Sequence, residues 1–144
     1  MCCWNLGTGG NAMHKIKILV IDDEVLCRNF VMSICRDYFT DYAIREASNP
    51  LDAIYFLSDF MPHLVITDDK MPYLKGSVFI KWLVKHSNHR DVNVCFYTSD
   101  KREDDKFSCV LKSKPDDLYS FFEARYPKKC SLRGRKTSRG LTSK

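Results

Sequence analysis

The stretch HLVITDDKMP, residues 63–72, decides how the rest of the sequence is read. An apolar run ends in two aspartates, and a Met-Pro pair follows two residues after the first of them. Short β-branched apolar runs are typical of buried strands. His63–Thr67 is therefore predicted to be a strand, with Asp68 and Asp69 at its end. Because successive side chains point to opposite sides, only one of the two carboxylates can face a given site.

The same kind of apolar run recurs along the chain. Strand one is predicted at Ile16–Ile21, strand two at Tyr42–Glu46, strand four at Val92–Tyr97 and strand five at Cys109–Lys112. Between the runs, apolar residues at three- and four-residue steps predict helices. Such alternation is typical of a parallel sheet built from right-handed βαβ units. The runs are continuous rather than alternating, which predicts strands covered on both faces.

The predicted helices carry their own boundary signals. Ser48 or Asn49 is expected to cap the second helix ahead of Pro50, Gly76 precedes the third, and Asp116 is expected to cap the last. The side chains expected to be buried share one face of each helix: Cys27, Phe30, Val31, Ile34, Cys35 and Tyr38 in the first, Phe79, Trp82 and Leu83 in the third, and Leu118, Phe121 and Phe122 in the last.

The net charge of +5 is unevenly distributed. Residues 127–144 contain seven Lys or Arg and no acid, whereas the preceding 126 residues hold 16 bases and 18 acids. We expect a flexible leader over 1–14, a folded domain over 15–126 and a basic disordered tail over 127–144. Two interpretations of the tail remain, a solvated segment or a segment that weakly contacts nucleic acid or an anionic surface, and its composition favours the first. No transmembrane segment or secretory signal is recognisable, and seven scattered cysteines indicate a reducing, cytoplasmic setting.

Polar side chains stand at the carboxyl ends of the predicted strands, which meet at one edge of a parallel sheet. Asp22 and Asp23 follow strand one, Asp68 follows strand three, Thr98 follows strand four and Lys114 follows strand five. Clustered carboxylates repel one another, and a hard cation such as Mg²⁺ relieves that repulsion. A carboxylate beside Mg²⁺ can attack phosphorus, while a lysine and a hydroxyl stabilise the phosphoryl oxygens. The residues alone therefore predict a site that carries a phosphoryl group on an aspartate.

Four motifs, in order over residues 15–126, resemble the receiver domain of two-component response regulators. They are the acidic pair after strand one, Asp-x-x-Met-Pro, an apolar strand ending in Thr, and Lys-Pro. The resemblance implies a flavodoxin-like, doubly wound α/β fold with five parallel strands in the order 2-1-3-4-5. The position of Met71-Pro72 implies that Asp68, and not Asp69, is the phosphoacceptor.

The same resemblance assigns roles to the other residues. The expected Mg²⁺ ligands are carboxylate or carbonyl oxygens, those of Asp22, Asp23 and Asp68 and the backbone carbonyl of Lys70. Thr98 would hydrogen-bond a phosphoryl oxygen, and Lys114 would form an ion pair with it. The peptide bond before Pro115 is a candidate for the cis form.

The sequence departs from the family between strands four and five. Fifteen residues separate Thr98 from Lys114, and Ser99–Ser108 contains one large apolar residue, Phe107. The family's fourth helix, which crosses over between these strands, is therefore expected to be shortened or missing. The family's aromatic switch residue, three before the lysine, is Leu111. The sheet face left partly uncovered would suit a downstream partner or a second copy in a homodimer.

We therefore expect a single-domain receiver that takes a phosphoryl group from a histidine kinase or phosphotransfer protein and signals to a downstream protein partner. It would promote its own phosphorylation and dephosphorylation and otherwise not act as an enzyme. Lys70 would either hinder the attack of water on the acyl phosphate or pair with Asp69. One alternative is a phosphorylation-independent interaction module, favoured by the short crossover and Leu111. Another, a magnesium phosphohydrolase, is opposed because Lys70 stands where that class needs a second aspartate.

Overall fold

Five apolar runs form one parallel sheet in the computed structural model, which describes residues 15–86, 91–102 and 106–128. The strands are β1 (Ile16–Ile21), β2 (Tyr42–Ala47), β3 (Leu64–Thr67), β4 (Asn93–Thr98) and β5 (Ser108–Leu111). The helices are α1 (Val25–Tyr38), α2 (Pro50–Phe56), α3 (Gly76–Lys85) and α4 (Asp117–Arg125). Each strand begins and ends within one residue of its predicted range. The predictions for residues 1–14 and 129–144 lie outside the described part of the chain.

The strand order is β2-β1-β3-β4-β5, and every neighbouring pair is parallel. This confirms the predicted doubly wound sheet. The order reverses at β1, which pairs with β2 on one side and β3 on the other. Ligands of open parallel sheets bind beyond the carboxyl ends of the strands at such a reversal. Ile21 lies beside Thr67 in the register, so the residues that follow them leave the sheet at the same level.

One face of the sheet, the α1/α4 face, is covered by α1 and α4. Its core consists of Ile16, Ile18, Val20, Val31, Met32, Ile34, Cys35, Tyr38, Phe39, Leu64, Ile66, Cys95, Tyr97, Val110, Leu118, Phe121, Phe122 and Tyr126. The ring of Phe122 lies 5.4 Å from that of Tyr38 and 5.0 Å from that of Phe39, centroid to centroid. The Tyr38 hydroxyl donates to the Tyr126 carbonyl at 2.6 Å, and the Asn93 amide donates to the Tyr126 hydroxyl at 2.6 Å. These contacts join α1, the end of α4 and the start of β4.

The opposite face, the α2/α3 face, is covered by α2 and α3. Its core consists of Leu19, Ile21, Ala47, Ala53, Leu57, Phe60, Val65, Phe79, Ile80, Leu83, Val94 and Phe96. Phe79, Ile80 and Leu83 form the buried side of α3. They cover the middle of the sheet and leave the β4–β5 end to the connection between those strands.

The connection between β4 and β5, residues 99–107, replaces the crossover helix. Its described residues, 99–102 and 106–107, form no helix, which confirms the predicted shortening. The guanidinium carbon of Arg102 lies 3.8 Å from the ring centroid of Phe96, and the ring of Phe107 lies 6.2 Å from it. Phe96 is fully buried, whereas Cys109 on the neighbouring strand is exposed. Two side chains thus cover Phe96 where a helix would otherwise lie.

Helix boundaries and helix faces agree with the sequence in part. The side-chain oxygen of Asn49 accepts the Asp52 amide at 3.0 Å and caps α2. Asp116 is the N-cap residue of α4, as expected, but its side chain makes no capping hydrogen bond. Phe30 and Trp82, expected in the core, are 40% and 38% exposed because they lie at the margin of their helix faces. Among the described residues, none of the helices has the length and apolar character needed to cross a bilayer.

Candidate functional site

Asp22 and Asp68 lie side by side, just beyond β1 and β3. The Asp22 amide donates to the Ala47 carbonyl at 3.1 Å, and the Asp68 amide donates to the Ile21 carbonyl at 3.0 Å. The ladder of backbone hydrogen bonds therefore continues past the strand ends and fixes both residues. Asp22 is 2% exposed and Asp68 7% exposed. Carboxylates this deeply buried require charged or hydrogen-bonding partners.

Lys112 is the shared partner of these two carboxylates. It follows directly after β5, and its Nζ lies 2.9 Å from Asp22 Oδ2 and 2.9 Å from Asp68 Oδ2. Glu24 Oε1 lies 3.7 Å from the same nitrogen. The Lys112 side chain is 14% exposed, so solvent screens these ion pairs only partly. One ammonium thus bridges the carboxylates at the ends of two neighbouring strands.

Lys114, the lysine expected at this position, is exposed and does not take part in the contacts with Asp68. The strand ends at Leu111, and the Lys114 amide donates to the Leu111 carbonyl at 2.8 Å in the turn that follows. That turn carries Lys114 beyond the edge where Asp68 lies. No cis peptide bond occurs among the described residues, so the cis form expected before Pro115 is wrong. In the structure, Lys112 and not Lys114 is therefore the lysine that contacts Asp68.

The charges of this cluster depend on one another. Burial raises the pKa of Asp22, while the hydrogen bond from the Glu24 amide and the contact with Lys112 oppose the rise. Burial disfavours the charged form of Lys112, but its hydrogen bonds to Asp68 and Asp22 outweigh burial and raise its pKa. Lys112 is therefore an ammonium throughout the physiological pH range. Its positive charge offsets part of the negative charge of the two buried carboxylates.

Asp22, Asp23 and Asp68 have the arrangement of a divalent-cation site. One carboxylate oxygen of each lies within 4.8 Å of the other two. Mg²⁺ prefers a few carboxylates and completes its shell with water or phosphate oxygens. Asp23 is exposed, so the cluster is open to solvent on that side. The donor set therefore fits Mg²⁺.

A second group with metal-ligand types shares Asp22 with the first. It adds Glu24 and Cys27. Burial, reinforced by the hydrogen bond to Glu24, raises the pKa of the Cys27 thiol to about 11. A protonated thiol is a poor ligand, and Mg²⁺ prefers oxygen. Of the two groups, the three aspartates therefore offer the better donor set for a hard cation.

Asp69 is turned away from the cluster. Its Oδ1 accepts the Ser77 amide at 2.8 Å in the first turn of α3, and its Oδ2 lies 3.3 Å from Arg102 Nη1. Its own amide donates to Asp68 Oδ1 at 2.7 Å. Of the two consecutive aspartates, only Asp68 faces Lys112, as expected from the alternation of side chains along a strand.

Thr98 and Lys70 lie beside the cluster. Thr98 is 2% exposed, and its carbonyl accepts the Lys112 amide at 2.8 Å, so its backbone helps to position Lys112. Lys70 Nζ lies 2.6 Å from Asp100 Oδ2, and both side chains are exposed. The hydrogen bond with Asp100 raises the pKa of Lys70. The partner of Lys70 is therefore Asp100, and not Asp69 as one expectation held.

The backbone at Asp68 is held by a close approach of α3. The Thr67 hydroxyl donates to the Asp68 carbonyl at 2.8 Å, and the Gly76 amide donates to the Asp69 carbonyl at 2.9 Å. A Cβ at position 76 would overlap the Asp68 carbonyl oxygen. Glycine therefore lets the start of α3 contact the backbone of the residue at the centre of the site.

A family model described as the response regulator receiver domain matches residues 18–117. The chain belongs to this family. The matched range includes β1 from Ile18 onward, the other four strands and the first three helices. Receiver domains are the receiving modules of two-component signalling, so the chain has a place in that class of signalling.

Curated relatives and solved structures agree with this assignment. The two-component response regulator-like APRR7 of Arabidopsis thaliana is 29% identical over 74% of this chain and 15% of its own length. Response regulator Rre1 of Synechocystis is 30% identical over 60% of this chain and 37% of its own length. The chain therefore spans well under half of the length of these two relatives.

Solved structures show the same fold. The chemotaxis response regulator CheY4 of Vibrio cholerae has a TM-score of 0.67 at 19% identity, covering 77% of this chain and 98% of that one. The two-component transcriptional regulator AraC of Clostridium phytofermentans has a TM-score of 0.68 at 20% identity, covering 85% and 99%. At these identities the likeness concerns the receiver fold alone.

Two parts of the receiver site were missed in the sequence. Lys112 could have been found, because it is the first residue after β5, just as Asp22 and Asp68 are the first after β1 and β3. Counted back from Lys112, the position three residues earlier is Cys109, which is also not aromatic. No sequence pattern predicts the contact between Asp69 and Arg102, since the two residues are 33 positions apart with the whole of β4 between them.

Proposed function

We propose that this receiver accepts a phosphoryl group on Asp68 from a histidine kinase or a phosphotransfer protein, with Mg²⁺ bound beside it. The observation that carries the proposal is the buried Asp68 carboxylate in contact with Lys112 and grouped with two further carboxylates. Asp22, Asp23, Asp68 and the backbone carbonyl of Lys70 would hold the cation. Bound there, Mg²⁺ would neutralise the charge of the incoming phosphoryl oxygens.

The transfer itself is a displacement at phosphorus. One carboxylate oxygen of Asp68 forms a new P–O bond while the bond from phosphorus to the donor breaks, and the donor keeps the electron pair. The Asp69 amide, 2.7 Å from Asp68 Oδ1, orients the carboxylate. The Lys112 ammonium pairs with the Asp68 carboxylate before the transfer and can pair with the phosphoryl oxygens after it. Thr98, buried at the end of β4, would supply a hydroxyl to hydrogen-bond a phosphoryl oxygen.

The phosphorylated receiver would act in the cytoplasm by binding a downstream protein or by passing the group onward. The added phosphoryl group brings about −1.5 to −2 charges to a site already rich in acids. The β4–β5 end of the α2/α3 face, where Cys109 is exposed beside the short connection, is the surface that we propose for a protein partner or a second copy.

Intact-protein mass spectrometry after incubation with acetyl phosphate tests this proposal. We expect a gain of one phosphoryl group that requires Mg²⁺ and is absent from Asp68→Asn. Asp69→Asn is the matched control, because it removes the same charge one residue away and leaves the acceptor in place. Incorporation that survives Asp68→Asn would place the phosphoryl group elsewhere and overturn the assignment.

Two lysine variants test which ammonium serves the site. Lys112→Met removes the contacts to Asp22 and Asp68, and we expect it to slow phosphorylation by at least about tenfold. Lys114→Met removes the same charge from an exposed position and should leave the rate within about twofold. Equal effects of both variants would contradict the assignment of Lys112.

A second candidate function is a receiver that binds partners without phosphorylation. The missing crossover helix and the lack of an aromatic residue at 109 or 111 favour it. Failure of the wild type to gain a phosphoryl group from acetyl phosphate and from a phosphotransfer protein, with fold and cation binding intact, would establish this alternative over the first.

A further inference from the structure

Asp69 is a further acid at the site and directly follows Asp68, the proposed phosphoacceptor. The grouped carboxylates are those of Asp22, Asp23 and Asp68, and Asp69 is not among them. A free carboxylate at this position would add negative charge where an anionic phosphodonor must approach. It would also offer the cation another ligand. The way in which its charge is held therefore bears on the chemistry of Asp68.

Arg102 is the residue that holds the Asp69 carboxylate. Its Nη1 lies 3.3 Å from Asp69 Oδ2, and the two side chains are 9% and 19% exposed. The guanidinium carbon also lies over Phe96, 3.8 Å from the ring centroid. A largely desolvated ion pair that rests on an aromatic ring has less freedom than an exposed pair such as Lys70 with Asp100.

The other oxygen of Asp69 fixes the direction of the side chain. Oδ1 accepts the Ser77 amide at 2.8 Å, so the carboxylate spans from the start of α3 to the β4–β5 connection. Both carboxylate oxygens of Asp69 are therefore engaged by groups other than Asp68. The backbone amide of Asp69, in contrast, donates to Asp68 Oδ1 at 2.7 Å. Arg102 thus acts on Asp68 through Asp69 and without touching it.

We propose that Arg102 is a positioning residue that sequesters the Asp69 carboxylate, so that cation binding and phosphoryl transfer are confined to Asp22, Asp23 and Asp68. The part of this inference that concerns phosphoryl transfer rests on the proposed function. The part that concerns the cation does not. The short connection after β4 thereby contributes to the site, since Arg102 lies in the segment that replaces the crossover helix.

Charge determines the expected direction of each variant. Arg102→Gln leaves Asp69 without its counter-charge, so the site becomes more negative and attracts a divalent cation more strongly. Asp69→Asn has the opposite effect. For a doubly charged ion near a surface, one unit charge changes affinity by on the order of threefold to tenfold. The double variant, Asp69→Asn with Arg102→Gln, restores the local charge and is expected to return to the wild-type affinity.

Binding of Mn²⁺, followed by electron paramagnetic resonance of the free ion, tests the cation part on the full chain. We expect tighter binding by Arg102→Gln, weaker binding by Asp69→Asn and wild-type binding by the double variant. Lys101→Gln removes the same charge from an exposed neighbour and should change affinity less than twofold. Arg102→Lys keeps the charge while losing the planar stack and should stay within about twofold of wild type.

The rate of phosphorylation by acetyl phosphate tests the transfer part. Arg102→Gln should slow incorporation about threefold to tenfold, because the released carboxylate repels the anionic donor, and Asp69→Asn in the same chain should restore the rate. A structural defect at Phe96 would not be rescued in this way. Arg102→Gln effects on Mn²⁺ no larger than those of Lys101→Gln, or a loss that Asp69→Asn fails to correct, would overturn the inference.

Outcomes for the two proposals are separable. A wild type that binds Mn²⁺ but gains no phosphoryl group would contradict the proposed function, while the Mn²⁺ affinities would still decide the role of Arg102. If Arg102→Gln fails to fold, judged by circular dichroism, Asp69→Asn decides instead, since it leaves Arg102 on Phe96. Unchanged Mn²⁺ affinity in that variant would overturn the inference.

Discussion

The two faces of the sheet are closed by different means. On the α1/α4 face, two helices meet over an aromatic core, and hydrogen bonds through Tyr126 connect them to β4. On the α2/α3 face, helices cover β1 and β3, but the β4–β5 end is covered by Arg102 and Phe107 from a short connection. The exposed thiol of Cys109 marks where that cover stops.

The difference shows that a crossover helix can be lost from one face without exposing the ring beneath it. Phe96 is as deeply buried as Phe122, although the side chains that cover it at the β4–β5 end, Arg102 and Phe107, belong to a short connection and not to a helix. Arginine suits this task because its guanidinium is planar, stays charged and covers a ring while pairing with a carboxylate. The cover on the α2/α3 face is therefore also part of the functional site.

The largest expected effect comes from removing one ring on each face. Phe122→Ala should lower the free energy of unfolding by about 5 kcal/mol, because helices on both sides hold the cavity open. Phe96→Ala should cost about 3 kcal/mol, since the short connection can collapse into the space. Urea denaturation of both variants measures the difference. A larger loss for Phe96→Ala would reverse the comparison and make the short connection the more rigid cover.

Alkaline pH should destabilise the domain in part through two buried thiols of the α1/α4 face, those of Cys35 and Cys95. Burial raises the pKa of Cys35 and of Cys95 from 9.0 to about 12. Above pH 9 the unfolded chain loses these protons and the folded chain keeps them, so stability present below pH 9 is lost as the pH rises toward 12. Between pH 7 and pH 10 we expect a loss of about 3 kcal/mol from the two thiols.

Urea denaturation under reducing conditions at pH 7 and pH 10 measures this loss. Cys35→Ala should remove about 1.4 kcal/mol of this loss, which is half of the share of Cys35 and Cys95 together. Cys109→Ala, at the exposed end of the other face, is the control and should change the loss little. Equal contributions from Cys109 and Cys35 would show that the two faces do not differ in this respect.

A smaller effect is expected where α3 meets the site. Gly76→Ala places a methyl group against the Asp68 carbonyl and should cost about 1–3 kcal/mol of stability, because backbone atoms must move apart. The rate of phosphorylation should fall with it, since Asp68 moves. Ser77→Ala is the neighbouring control and should change neither measurement appreciably. Thermal denaturation and mass spectrometry together separate a local shift from general loss of fold.

The smallest effect is expected at the exposed pair of Lys70 and Asp100. Both side chains are largely in water, so Lys70→Gln should leave the melting temperature unchanged. The lifetime of the acyl phosphate is the informative measurement, because an ammonium two residues after Asp68 would hinder an attacking water. A shorter lifetime in Lys70→Gln would assign it a protective role, and an unchanged lifetime would leave the pair as surface electrostatics alone.

The fold could be predicted from the sequence because buried parallel strands consist of continuous runs of apolar residues. Both ends of β1, Ile16 and Ile21, were predicted correctly. The polar segment between Thr98 and Ser108 predicted that the crossover helix is shortened or missing. Both follow from local composition and spacing. Asp22, Asp23 and Asp68 could be brought together for the same reason, since topology alone sends the ends of β1 and β3 to one place.

The remaining errors concern distances of a few ångströms. Lys114 was expected from the Lys-Pro pair, but the end of β5 one residue early puts Lys112 at the edge. The pairing of Asp69 with Arg102 depends on how the connection folds over Phe96, which no local pattern encodes. Phe30 and Trp82 were expected inside because periodicity identifies a helix face but not its margins.

The hydrogen bond between Asn93 and Tyr126 has a consequence for attachment. It holds the end of α4 at the start of β4, and the described chain also begins at the start of β1. Both ends of the domain therefore leave from the edge of the sheet opposite Asp68, about 20 Å away for a six-residue strand. A fluorophore, affinity handle or neighbouring domain joined after Lys128 would leave the acidic edge open to a docking kinase.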